Sequence, residues 1–259
     1  MQPTFLPWAG YLRMMSVADR FVFLDDVQLS RQSWQTRNRI LVRDHVQWVM
    51  VPFRHVGLAQ TIAETEIVES ARWRRKIGRT LRQCYANHPF AADLNSLISF
   101  LEQGTQLHLA DVNIALISYC AMQLNIEVRS VRSGGLGLKA IQRSNRLAEA
   151  CRLLGCDTYL SPGGAADYIN KDGLHRFGDI RVEHTAYSPP GYFQKGATTF
   201  IPNLSIVDVI ANLGWKGTAH YVRAPWNPEP NAKRRLKSPE MKLDMGVRSS
   251  ARISQAYPK

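Results

Sequence analysis

The 259-residue chain has no apolar run long enough to span a bilayer, no CxxC pair, and no HxxxH or similar ligand spacing among its seven histidines. A spanning helix needs about 20 consecutive apolar residues, so none is expected. The opening MQPTFLPWAG lacks a basic segment followed by an apolar one, so no secretory leader is expected and a cytoplasmic location is. The four cysteines, Cys84, Cys120, Cys151 and Cys156, lie in apolar helical stretches and are expected to be reduced and buried. Without paired Cys or His ligands no metal site is expected, and no cofactor can be named.

What is present is an ordinary globular composition, 45% hydrophobic and 21% charged, enough to bury a full core. The net charge is +12. From Pro225 onward eight Lys or Arg stand against three Asp or Glu, a net of +5, which leaves +7 for residues 1–224. That last stretch is proline-punctuated and poor in large apolar residues, so residues 225–259 are expected to be a disordered basic tail after a single domain, 1–224. The tail lacks the interleaved aromatics of a single-strand binder. No specific nucleic-acid partner is expected, and at most a peripheral contact with an anionic membrane face.

Hydrophobic patterning divides the chain into three parts. A helix over Leu6 to Ala18 leads into RFVFL, a short buried strand, and ILVRDHVQWVMVPF reads as a hairpin turning at Arg43-Asp44. Residues 71–124 repeat apolar positions at helical spacing in three segments separated at Pro89 and Gly104. From Ile126 the texture is IEVRSV as strand, IQRSNRLAEACRLLG as helix and DTYLSPGG as strand running into a glycine turn, followed by DIRVEHTAY and an amphipathic SIVDVIANLG. Ser205 is the expected N-cap of that last helix and Gly214 its end. The strand–helix–strand order predicts an α/β fold, a Rossmann-like doubly wound and mainly parallel sheet with a helical insertion at about 55–124.

Ligands in such sheets bind outside the carboxyl ends of the strands. Asp25 and Asp26 stand where RFVFL ends, and Ser161, Gly163 and Gly164 stand where TYL ends, with Asp167 and Tyr168 on the following helix. One of the two aspartates is the expected general base or metal-holding carboxylate. The loop continues with Gln28, Trp34, Gln35, Arg37, Asn38 and Arg39. Tryptophan offers a flat face, amides bond hydroxyls in both directions, and arginines grip phosphate or carboxylate with two prongs. Together they suit a phosphorylated or nucleotide-linked sugar, although a loop that merely pins the hairpin accounts for the same groups. QPTFLPWAGY adds Gln2, Trp8 and Tyr11 at the entry to the first helix. A strand normally precedes such a turn, so either one lies ahead of Met1 or the sheet begins with RFVFL.

MQPTFLPWAGYLRMMSVADRFVFLDDVQLSRQSWQTRNRI, RSNRLAEACRLLGCDTYLSPGGAADYI and FIPNLSIVDVIANLG resemble successive blocks of the WbqC-like protein family. The residues that match its pattern are Gln2, Pro3, Trp8, Gly10, Tyr11, Asp25, Asp26, Gln28, Trp34, Gln35, Arg37, Asn38, Ser161, Gly163, Gly164 and Tyr168. The resemblance implies a transferase or modifying enzyme on an activated sugar or amino compound in O-antigen, other surface polysaccharide or secondary-metabolite synthesis, with Asp25, Asp26 and Tyr11 at the chemistry. PWAGY is also similar to the PxHxGH turn of nucleotidyltransferases, with Trp8 and Tyr11 where those enzymes carry histidines, which gives a second reading. A third is a non-catalytic scaffold of a polysaccharide assembly complex.

Overall fold

The computed structural model describes residues 1–68, 72–138, 141, 143–162, 180–185, 187 and 191–224. Helix α1 (Ala9–Ser16) leads into strand β1 (Arg20–Phe23), whose Phe21 and Phe23 turn inward and meet edge to face at 5.1 Å. The expected hairpin is β2 (Arg37–Val42) and β3 (His45–Met50), paired antiparallel. Its two turn residues, Arg43 and Asp44, have φ of 47° and 66°, the two positive angles of a primed turn whose twist suits the strands. Asp44 tolerates that conformation and its carboxylate accepts from the Thr198 N–H and hydroxyl, both at 2.8 Å.

The three middle helices are α2 (Trp73–Tyr85), α3 (Ala91–Gln103) and α4 (Leu109–Gln123). They are no decoration on a sheet. Leu94, Leu97, Ile98, Leu116, Ile117 and Cys120 belong to the same buried cluster as Phe5, Leu12, Phe23 and Ile210. Helix α4 is apolar on most of its circumference, so it must be covered on several sides.

Strand β4 (Arg129–Arg132) runs through a short 3-10 turn, Ser133–Leu136, toward α5 (Arg143–Leu153), β5 (Thr158–Pro162), β6 (Arg181–Thr185) and α6 (Ile206–Arg223). Ser205 caps α6, its hydroxyl accepting from the Val207 N–H at 3.3 Å. Gly214 does not end that helix but kinks it, at φ 68°. A Cβ there would stand 2.6 Å from the Phe90 ring, so only glycine fits both the angle and the space.

The described residues form a mixed α/β structure with short sheets of two strands each: β1 with β4 in parallel, β2 with β3, and β5 with β6 in parallel. The expected single doubly wound sheet is not assembled from them. Strand β4 pairs with β1 and strand β5 with β6, and the interior divides into a large cluster and a small one of Ala148 and Ile180.

Candidate functional site

Past the end of β1 the chain meets the β4 turn. The Asp25 N–H donates to Ser133 Oγ at 3.2 Å. The Asp25 side chain is 3% exposed; its Oδ2 accepts from Arg132 Nε at 2.5 Å and its Oδ1 lies 3.2 Å from the Gly134 N–H and from Ser133 Oγ. Asp26 is equally buried, and its Oδ1 accepts from the Ser133 hydroxyl and from Arg146, an arginine of α5 only 11% exposed. The Ser133 hydroxyl has one hydrogen, and its close contact with Asp26 is where that hydrogen goes. Arg132 continues outward to Asp111 at 2.6 Å. Burial opposes its charge, but the carboxylates of Asp25 and Asp111 outweigh this and raise its pKa.

Two atoms of this cluster stand apart. Asp26 Oδ2 and Arg146 Nε are buried with no hydrogen-bond partner among the described residues. A buried acceptor and a buried donor left open cost about 1–3 kcal/mol each unless something else satisfies them. Asp25, by contrast, has both oxygens engaged by protein donors, and both aspartates are held in ion pairs with arginines. No group of three or more His, Cys, Asp or Glu that could hold a metal ion occurs among the described residues.

The other sequence-predicted residues are distributed over separate places. Gln35 Oε1 accepts from the Ser30 N–H at 2.8 Å and its Nε2 donates to Gln2 Oε1 at 2.8 Å. Asn38 donates to the carbonyls of Phe5 and Leu6 at 3.0 and 2.7 Å, holding Leu6 at its positive φ of 43°. Gln28 donates to the Leu58 carbonyl at 2.6 Å. Gln35 and Asn38 therefore tie the entry segment to the loop and strand that follow β1, and Gln28 ties that loop to the chain at Leu58. Tyr11 lies in the core, 1% exposed and 5.6 Å from the Phe21 ring, and burial raises its pKa. Its hydroxyl is buried without a hydrogen-bond partner among the described residues. Trp8 lies over Gly10, where a Cβ would come within 2.1 Å of the indole, and meets the Tyr187 ring at 5.9 Å. The PWAGY turn thus presents neither of its aromatic rings in the manner of paired catalytic histidines.

Trp34, Arg37 and Arg39 stand on the outer face of the hairpin. Arg37 lies 4.2 Å over the Trp48 ring, Arg39 lies 5.4 Å from the Trp34 ring, and the two indoles are 5.4 Å apart. Arg39 also donates to the carbonyls of Pro202 and Asn203 at 3.1 and 3.0 Å. Arg37 is met by the Trp48 ring and Arg39 by the Trp34 ring and two carbonyls, while the Nε of each is buried without a hydrogen-bond partner among the described residues. Among the described residues no hydrogen bond, ion pair or ring contact joins this face to the Asp25–Asp26 cluster. Ser161 is buried at the end of β5, and Gly163, Gly164, Asp167 and Tyr168 lie outside the described residues.

Sequence reasoning missed Arg132, Ser133, Gly134 and Arg146. The signal was there in VRSGGLG, a glycine turn at a strand's carboxyl end like the one noted after β5. It also missed Asp208, a carboxylate inside an apolar helix face, which accepts from Tyr192 Oη at 2.5 Å, Tyr85 Oη at 3.2 Å and Gln194 Nε2 at 3.2 Å. Burial raises its pKa against the three donors that lower it. The cysteines are free thiols, Cys120 buried and the others partly so, and burial pushes Cys151 up to about 11 and Cys120 up to about 12. Burial thus disfavours the thiolate form at Cys84, Cys120 and Cys151.

A mixed α/β protein with a buried carboxylate–guanidinium cluster at the carboxyl end of a parallel strand pair is the class that fold and site define. Within it the family is shown directly: the WbqC-like family model matches residues 2–220, and the chain belongs to that family. It is 29% identical over 220 residues, 83% of this chain and 92% of the relative, to the uncharacterized protein Rv1507c of Mycobacterium tuberculosis. No solved structure matches the chain.

Proposed function

We propose that this WbqC-like protein is a group-transfer enzyme acting on a nucleotide-linked or phosphorylated small molecule, a sugar or amino compound of surface-polysaccharide or secondary-metabolite synthesis. The observation that carries the reading is the open pair at the strand end: Asp26 Oδ2 and Arg146 Nε, both buried, both without a partner among the described residues. An unmet acceptor and an unmet donor on the two members of one ion pair suit a hydroxyl or an amine next to an anion. In this reading Asp26 takes the proton from the attacking group, Arg146 and Arg132 hold the phosphate, and the Ser133-Gly134-Gly135 turn brings backbone close to the ligand. The location, outside the carboxyl ends of parallel strands, is where α/β sheets bind ligands, and a doubly wound sheet belongs to the same proposal.

The test is a thermal-shift panel of UDP-, GDP-, dTDP- and CMP-sugars. A ligand at a hundred times its Kd stabilises by about 2.7 kcal/mol. For a domain of this size that is a rise of roughly 5–10 °C. Arg146→Lys, which keeps the charge and loses the two-pronged contact, is expected to remove most of the shift while remaining folded by circular dichroism. No shift with any member of the panel contradicts the proposal.

A further inference from the structure

Positive charge is not spread evenly along the chain. Residues 69–92 carry six Lys or Arg against Glu69 alone, a net of +5, which leaves +2 for the other 200 residues of 1–224. Helix α2 sorts these cations by its own periodicity. Trp73, Ile77 and Leu81 are buried, and so is Arg74, which donates to the Gln106 carbonyl at 2.5 Å. Arg72, just ahead of the helix, and Arg75, Lys76 and Arg79 on it are exposed. Arg82 donates to both oxygens of Glu102 at 2.6 and 2.7 Å, but Arg75, Lys76 and Arg79 have no ion pair and no side-chain hydrogen bond among the described residues. Like charges one turn apart, as at Arg75 and Arg79, oppose a helix, so the stripe does not serve the stability of α2. Beside it lies an open hollow of about 470 Å³ lined by Arg75, Arg79 and Arg82.

The start of α2 is tied to segments that carry exposed aliphatic side chains. Next to Gln106 the Leu107 carbonyl accepts from the Ile67 N–H, the Val68 N–H donates to the Pro52 carbonyl, and the Arg54 N–H donates to the Glu66 carbonyl. Val68 and Leu107 are exposed, and past Arg54 Val56 and Leu58 are more so, at 78% and 82%. The loop that carries these last two is firmly built. Buried Gln60 accepts from the Val56 N–H at 3.1 Å and donates to the Arg54 carbonyl at 3.0 Å, and Gln28 donates to the Leu58 carbonyl at 2.6 Å. A single exposed aliphatic needs no account, but two held in water on one fixed loop tip do.

We propose that the cationic stripe of α2 and the 56–58 loop tip together dock the protein on an anionic lipid bilayer, the arginines at headgroup phosphates and Val56 and Leu58 at the boundary with the acyl chains. Interfacial binding of this kind adds buried apolar area to attraction for anionic lipid. Five of the six cations are Arg, whose planar fork matches phosphate oxygens, and the Arg-lined hollow gives a headgroup phosphate room beside the helix. Because the apolar face of α2 is turned into the core, the helix lies on the surface and insertion falls to the loop. A nucleic acid fits less well: aliphatic tips gain nothing from a phosphate backbone, and the aromatics of α2, Trp73 and Tyr85, are buried and offer no face to a base. The proposal rests neither on what the Asp26 site binds nor on residues 225–259.

The experiment is co-sedimentation of the full chain with phosphatidylcholine vesicles, with and without phosphatidylserine. Arg75→Gln, Lys76→Gln and Arg79→Gln together are expected to weaken binding to the phosphatidylserine vesicles by about tenfold or more, since each cation near such a surface is worth roughly fivefold. Arg20→Gln, Arg129→Gln and Arg181→Gln, the same loss of charge elsewhere, are expected to change it by about twofold or less, because distant charges are screened. Val56→Ser with Leu58→Ser is expected to abolish the part of binding that survives high salt. The α2 variant relieves like-charge pairs, so its melting midpoint is expected to equal or exceed that of the parent chain. No binding by the parent chain, equal losses in the two charge variants, or unchanged binding in the Val56 and Leu58 variant overturns the proposal. So does tighter binding to a DNA duplex than to the vesicles that is lost in the α2 variant, which assigns the stripe to nucleic acid instead.

Discussion

Gly10 and Asp25 illustrate how far a single residue can be read. Gly10 is required because the Trp8 indole occupies the space of its Cβ, so Gly10→Ala displaces the ring from Tyr187 and is expected to cost about 1–3 kcal/mol by urea unfolding. In a Trp8→Leu background the same change should cost much less, a coupling that a double-mutant cycle reads directly; additive costs contradict the contact. Asp25→Ala removes the acceptor that holds Arg132, Ser133 and the Gly134 N–H, and is expected to cost about 2–3 kcal/mol, because a buried donor set loses its partner. The two aspartates were legible as a pair of carboxylates at the end of a buried strand. Their arginines were not: Arg132 and Arg146 lie 107 and 120 residues further along, and nothing local announces a pair that distant. The amides misled for a different reason. An amide or backbone carbonyl and a sugar hydroxyl accept the same hydrogen bond, so Gln35 and Asn38 read as ligand contacts while they also bind the chain itself.

At the scale of elements, helices and hairpin followed from periodicity and turn chemistry. Arg43-Asp44 turned as expected, and all three middle helices formed where apolar residues recur at three and four. Strand pairing did not follow, since it depends on which edges meet, and that information is spread over the whole chain. The same element scale sets an expected pH dependence. Burial lowers both the Met1 amino group, to about 5, and the His88 imidazole. Between about pH 5 and pH 8 the unfolded chain therefore binds more protons than the folded one, and stability rises with pH through that window. The urea midpoint should be higher at pH 8 than at pH 5.5, and acetylating the amino terminus should flatten the upper half of the rise. A midpoint that falls with pH over this range contradicts the burial of these two groups.

At the scale of the whole molecule, charge and site give separate expectations. Residues 225–259 lie outside the described residues, and their net +5 is proposed to act on anionic surfaces alone. Deleting residues 229–259 should weaken binding to phosphatidylserine vesicles at low salt and leave it unchanged at high salt, where the Debye length shrinks to a few ångströms. No helix of the described residues is long and apolar enough to cross a membrane. The central claim concerns the cluster where β1 meets the β4 turn. Its most direct test is an amide chemical-shift map recorded with the nucleotide sugar that gives the largest thermal shift. The account predicts perturbations at Asp26, Ser133, Gly134 and Gly135 that vanish in Asp26→Asn; perturbations confined to Trp34, Arg37, Arg39 and Trp48, unchanged in that variant, would contradict it.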